Sequence, residues 1–259
     1  MRRGTLALLA LIFIVVVSPL VAAGPLFPTP LHLTRQVHDP ISGKTTVLNE
    51  YGYGNRLISI RGGLTSIADY EKGELLEIDR DAGTYSITRF DAIAKATQAA
   101  GPQAAAAVAE TKKPLLRAVA SKATKSGRTA EFFESSIDAK PLKQKIEVGV
   151  DRSVTLSKDA LEVLLGSAYP GVRRGEHDVV LSAASQAQAS YSLPIEQVIS
   201  FDLEGQQLEF RTSVVRVGIE TPPADLVSIP AGARLVVSRI VAVSQEIDQI
   251  NHPTAAPPH

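Results

Sequence analysis

The chain has 259 residues, and its 27 basic side chains are balanced by 27 acidic ones. That balance excludes a protein that grips nucleic acid through bulk positive charge. Cysteine is absent, which excludes disulfides, a thiolate metal site, a Cys nucleophile and a lipidated N-terminal Cys. With no tryptophan and only 5% aromatics, stacking platforms for sugars and aromatic membrane girdles are disfavoured as well.

Residues 1–23 read as a secretory signal peptide. Arg2 and Arg3 lead an apolar run from Leu6 to Val17, Ser18 and Pro19 break it, and Val21-Ala22-Ala23 supplies small residues for cleavage. A helix over that run spans about 18 Å, short of the ~30 Å hydrocarbon core; the rival reading is an uncleaved anchor, with Pro19 tolerated and the helix running on to Ala23. Cleavage leaves 236 residues with 25 basic against 27 acidic groups, and a periplasmic or secreted location.

Residues 24–250 read as a single domain. From Leu31 to Phe90 apolar residues recur with period two, as in half-buried strands: Ile58 with Ile60, Leu76 with Ile78, Tyr85 with Ile87. Along Glu74–Arg80, Leu75, Glu77 and Asp79 point the other way, and Glu77 and Asp79 are expected in solvent. The breaks at Asp39–Gly43, Glu71–Gly73 and Asp81–Gly83 each place Gly where a positive φ suits a tight turn. Short connections force antiparallel neighbours, so this half is a meander.

Composition then shifts. Between Ala92 and Ala130, 14 of 39 residues are Ala, which predicts a helical insertion over about 91–126, cut by Gly101-Pro102 and Pro114. Strands resume after Gly127, with Ile146, Val148 and Val150 on one face. Lys158–Leu165 is a short helix capped by Ser157. Asp178–Ser182 reads as a strand. Ile195, Ile199, Phe201 and Leu203 share a face, Leu208 and Phe210 follow a turn at Glu204-Gly205, and a register change at Val214-Val215 predicts a bulge. Leu235–Val243 is the last strand, and the Pro-rich 251–259 is a disordered tail.

Two stretches carry a family resemblance. One is Gly54-Asn55-Arg56-Leu57-Ile58-Ser59-Ile60, continued by Ser66–Tyr70, Gly73–Asp79 and Gly83-Thr84-Tyr85; the other is Pro222–Gly232. Together they resemble exported bacterial envelope proteins with the LolA/LolB-like half-barrel fold. The resemblance implies a mainly β (α+β) architecture: a curved antiparallel sheet, or incomplete barrel, with helices on its concave side. It also implies a concave apolar face that takes lipid chains. This chain departs from the pattern at Val227 and Ala233, where aromatics are usual, and lacks the Cys of lipid-anchored members.

No catalytic constellation stands out, and no cofactor is called for. Gly43-Lys44-Thr45 lacks the earlier Gly and the following helix of a phosphate loop, so it reads as a hairpin turn. Asp79-x-Asp81-x-Gly83 lacks the fifth- and twelfth-position ligands of a calcium loop. His32 and His38, six apart on a strand, have no third ligand beside them, and no metal site is expected. Ile58, Ile60, Leu76, Ile78, Ile87, Val148, Phe201, Phe210 and Val217 are the candidate inner face for a lipid or lipoprotein ligand. Lys112, Lys113, Arg117, Lys122, Lys125 and Arg128 form a basic helical run that would meet an anionic membrane surface or an envelope protein. The functional expectation is an exported non-catalytic carrier of a hydrophobic ligand. The alternative is an envelope interaction module with a solid core.

Overall fold

Alternating apolar residues and glycine turns build most of this molecule, as a computed structural model shows for residues 24–99, 115–139, 142–168, 174–186, 190–203, 206–238 and 241–242. The expected leader, the tail, the turn at 204–205, and Lys112 and Lys113 lie outside the described residues.

The elements in chain order are β1 (Phe27–Asp39), β2 (Lys44–Gly54), β3 (Arg56–Arg61), β4 (Leu64–Asp69), β5 (Glu74–Asp79), β6 (Thr84–Arg89) and α1 (Phe90–Ala99). Then come β7 (Arg117–Ala123), β8 (Thr129–Ala139), β9 (Leu142–Leu156), α2 (Lys158–Ala168), α3 (Arg174–Ala184), β10 (Tyr191–Leu203), β11 (Gln206–Gly218), α4 (Ala224–Val227) and β12 (Arg234–Leu235). The strands form one sheet in the order β12-β6-β5-β4-β3-β2-β1-β11-β10-β9-β8-β7. Two antiparallel meanders, β1–β6 and β7–β11, are joined by the β1–β11 pair. The ends are β12 and β7, so the sheet is curved but not closed. This is the expected mainly β half-barrel.

Hairpin turns close where the sequence places glycine. Gly43, Gly73 and Gly83 have φ of +66°, +67° and +62°, conformations that an L side chain adopts only at a cost. The phosphate-loop-like and calcium-loop-like stretches are thus the β1–β2 and β5–β6 turns. The bulge is also where the residue pattern shifts. Thr34 faces Arg216 while Arg35 faces Val214, leaving Val215 as the extra residue on β11.

α2 shows why the sheet curves. It packs on both β3 and β10, which are separated in the sheet by β2, β1 and β11. Four interstrand spacings are about 19 Å in a flat sheet, wider than a helix of about 10–12 Å. The sheet therefore curls round α2, and the face bearing α2 and α3 is concave. Ser157 Oγ accepts from Ala160 N at 3.1 Å and caps α2 as expected. Ala160 and Leu164 project into a cluster with Leu57, Leu193, Ile195 and Val214. Leu161 and Leu165 project into a second, with Ile146, Val148, Ile199 and the α3 residues Val179 and Val180. One helix thus supplies two i,i+4 stripes to two adjoining parts of the core. Each fully buried leucine there contributes about 1.5–3 kcal/mol of hydrophobic stabilisation.

Three local expectations are corrected. The piece of the Ala-rich insertion expected as helix near 115–126 contains strand β7; α1 occupies its start. The helices in the trough come instead from the β9–β10 connection. Asp178–Ser182 is helical, within α3, because Val179, Val180, Val179+4 and Val180+4 positions (Ala183 and Ala184) are buried together at helical spacing. The last strand is only Arg234–Leu235, which pairs parallel with β6, the sole parallel pair among the described strands. Val236 N still bonds Tyr85 O at 2.8 Å, and the chain then turns so that Ser238 is buried.

Candidate functional site

Residues opposite one another in a ladder share a face, so the register divides the candidate inner-face residues. Tyr51, Ile58, Ile67, Leu76 and Ile87 form one row across β2–β6, and Ile60 and Ile78 lie on the same side. Val148, Phe201, Phe210 and Val217 lie on the other, helix-bearing side, in register with Gln197, Ile199 and Leu33. The nine residues are therefore brought together as two sets, five on the convex face and four on the concave one. Ile58, Ile60, Tyr51 and Ile67 pack beneath Leu226 and Val227 of α4. Arg80 fixes α4 there by donating from Nη2 to Asp225 O at 2.6 Å and Ser228 O at 3.2 Å. Ile78 and Val148 are fully buried, whereas Ile87 is 51% exposed.

The concave face holds what the alternation reading missed. Leu33, Glu50, Ser59, Ser66, Glu77 and Ser86 form a cross-strand row on that side of β1–β6. Glu50, Ser59, Ser66 and Ser86 are buried and Glu77 is half-buried. The outward, solvated placement expected for Glu77 is thus reversed: its Oε2 accepts from Ser86 Oγ and Ser238 Oγ, each at 3.2 Å. Arg35 projects from β1 on the same face and donates from Nε to Glu50 Oε2. Arg61, two residues beyond Ser59 on β3, is half-buried. Burial lowers its guanidinium pKa, and the charge of Glu50 opposes that shift.

Buried polar atoms are left over on this side of the sheet, on Ser135 of β8 and His177 of α3 as well as on Glu50 and Gln197. Among the described residues, Glu50 Oε1 and both amide atoms of Gln197 have no hydrogen-bond partner. Glu50 is 0% exposed and Gln197 is 1% exposed. An unsatisfied buried polar group costs roughly 1–3 kcal/mol, so each such atom calls for a physical reason. The signal was legible only in part. Glu50 sits between Asn49 and Tyr51 in a strand, and a charged residue at an inward position is the one cue.

The basic run is organised differently from its expectation. Arg117 and Lys122 stand on β7, an edge strand exposed along its length, and not on a helix. Arg117 pairs with Glu134, Lys122 Nζ lies 3.0 Å from Glu147 Oε1, and Arg128 Nη1 lies 2.7 Å from Asp151 Oδ2. Lys145 adds a second cation 2.8 Å from Glu134, whose carboxyl pKa is held down by hydrogen bonds from Lys145 and Arg117. Cross-strand acids therefore offset much of the positive charge. Lys125 is exposed in the β7–β8 turn. His32 and His38 share the convex face, as spacing predicted, but are not joined at one site. His32 stacks on Tyr51 with centroids 4.1 Å apart and meets Glu220 at 3.2 Å, while His38 meets Thr45 at 3.2 Å.

The fold and site define an open, curved antiparallel sheet with a helix pair seated in its trough and a polar belt along the trough wall. No protein-family model matches the chain, and no curated protein matches its sequence. Solved structures similar to it include PNGF-II in a C2 space group, with a TM-score of 0.36 and 7% identity over 85% of this chain and 32% of that one. MucB gives a TM-score of 0.38 and 13% identity over 78% of this chain and 58% of that one. A domain assigned to outer-membrane lipoprotein sorting in Vibrio parahaemolyticus gives 0.29 and 9% identity over 77% and 89%. This chain thus spans about a third of the first protein and little more than half of the second.

Proposed function

We propose that this chain is an exported, non-catalytic binding protein of the cell envelope that takes a hydrophobic or amphiphilic ligand, a lipid or acyl chain, in the trough of its sheet. The observation that carries this reading is the curl of the sheet round α2, which makes a concave apolar wall that α2 and α3 cover over Leu57, Val148 and Val214 and leave half-buried at Phe201, Phe210 and Val217. A flat two-layer sandwich would offer no such wall. Native mass spectrometry of protein purified from a periplasmic extract, with a fluorescent fatty-acid displacement assay, tests it. A co-purifying lipid, or saturable micromolar probe binding, is the expected result. Protein that carries no lipid and leaves the probe unbound removes this reading.

The second reading is an envelope interaction module with a solid core. Its support is the complete burial of Ile58, Ile78 and Val148, which is how ordinary core residues sit. In that case the charged β7 edge, with the adjoining Lys112 and Lys113, is the contact. Charge reversal of Lys112, Lys113 and Arg117 then abolishes co-sedimentation with anionic vesicles or capture of an envelope partner; unchanged binding removes the idea.

A further inference from the structure

The trough of this protein carries a polar row along its β1–β6 wall beside the apolar clusters under α2 and α3. Five ionic groups lie on its side of β1, β2, β3 and β5: Arg35, Glu50, Arg61, Glu77 and Asp79. Asp79 accepts from Ala82 N at 2.8 Å in the β5–β6 turn, and the formal charges of the other four cancel. Yet the groups are not all consumed by one another. Arg35 holds only one oxygen of Glu50, and Glu50 Oε1 is buried without a partner among the described residues. On β10, across β11 from Val37, Gln197 presents an amide with neither its donor nor its acceptor used. A core that served packing alone would be more stable with apolar residues at both positions.

We infer that this belt is a head-group subsite, and that its ligand is a zwitterionic amphiphile whose cationic end carries N–H donors. The inference rests on the carrier reading above and names the chemistry of that ligand. An ammonium N–H satisfies Glu50 Oε1, which can only accept. A phosphate or carboxylate on the same head sits toward Arg61, the cation left over when Arg35 is bound to Glu50. Gln197 has both a donor and an acceptor for the polar linkage to the acyl chain. The chain itself then lies on the half-buried apolar part of the concave wall, beside Val217, Phe201 and Phe210. A bare fatty acid meets only half of this pattern, and its carboxylate gains nothing from Glu50.

Two lysophospholipids of equal chain length separate the idea from the broader carrier reading. Lysophosphatidylethanolamine has ammonium donors; lysophosphatidylcholine has the same phosphate and charge but no N–H. Binding is measured by calorimetry below the micelle concentration, with the fluorescent fatty acid as a third probe. The wild-type protein binds the ethanolamine head at least tenfold tighter, and Glu50→Gln brings that ratio close to one. Gln197→Leu, which disturbs no ion pair, weakens both lysolipids and leaves the ratio unchanged. Far-UV circular dichroism confirms that each variant is folded. Equal wild-type affinities, or a ratio that survives Glu50→Gln, overturn the subsite and mark Glu50 Oε1 as a merely hydrated group. Binding of the fatty acid with neither lysolipid also overturns it, while the carrier reading stands. Failure with all three probes overturns the carrier reading itself.

Discussion

Arg35 Nε donates to Glu50 Oε2 across the β1–β2 ladder, and both side chains are withdrawn from water, at 2% and 0% exposure. A buried pair of this kind is sensitive to the loss of one member. Removing either charge strands the other in a low dielectric, at a cost of about 3–5 kcal/mol. Glu50→Leu alone and Arg35→Met alone should each lower stability by that order in urea unfolding. The double variant should recover most of the loss, because two apolar side chains leave no uncompensated charge. A double variant no better than the singles would show that the pair is not the source of the effect.

The two faces of the sheet make different demands on the candidate apolar residues. Ile58→Ala should cost about 2–5 kcal/mol, since the side chain is fully buried under α4. Ile87→Ala, in the same cross-strand row but half exposed, should change stability by only about 0.5 kcal/mol or less. Thermal denaturation of the two variants measures the contrast directly.

Two glycines are required by neighbouring rings and not by backbone conformation. A Cβ at Gly52 would lie 2.6 Å from the Phe27 ring, and one at Gly149 would lie 2.7 Å from Phe132. Each ring covers a bare stretch of strand. Gly149→Ala should destabilise by about 1–3 kcal/mol through overpacking. Pairing it with Phe132→Leu should soften the penalty, which a double-mutant cycle in guanidinium quantifies.

Ser157→Ala removes the hydroxyl that caps α2. The expected loss is about 1 kcal/mol of stability. Ser157→Asp should retain it, as the carboxylate accepts the same N–H and suits the positive end of the helix.

The pH dependence has two separable origins. Burial pushes the Asp151 carboxyl up, but hydrogen bonds from Ser153 and then Arg128 outweigh it, and the folded pKa lies below the ordinary value. Stability from Asp151 is therefore present above the unfolded pKa of about 3.9 and lost as pH falls through the lower folded value. His177 is shifted down by burial, against the opposing charges of Asp178 and Glu162. Because the unfolded chain takes up that proton first, stability should decline as pH falls below about 6.5. Asp151→Asn should flatten the acid limb of a stability–pH curve, and His177→Gln the limb just below neutrality, each without altering the other.

Much of the local architecture was written in the residues. The glycine turns at Gly43, Gly73 and Gly83, the Ser157 cap and the bulge at Val215 all depend on a few neighbours along the chain. Short turns then dictated antiparallel ladders, and the absence of cysteine left burial to hold them. Helix α3 was missed, because the short apolar pair Val179-Val180 mimicked a strand and its partners Ala183 and Ala184 only show their helical spacing in the core.

Which face each strand turns inward was decided only in three dimensions. Period two sorts the residues of one strand into two sets, but carries no information about which set meets the trough. Ile58 and Val148 each sit on an apolar face of their own strand, yet ladder register puts them on opposite sides of the sheet. Likewise Glu77 read as solvated until the returning Ser238 enclosed that side. The basic run met its acids, Glu134, Glu147 and Asp151, only across strands. Local geometry comes from near neighbours and is recorded in the chain; the partner of a side chain is set by register and curvature, which residues far apart determine together.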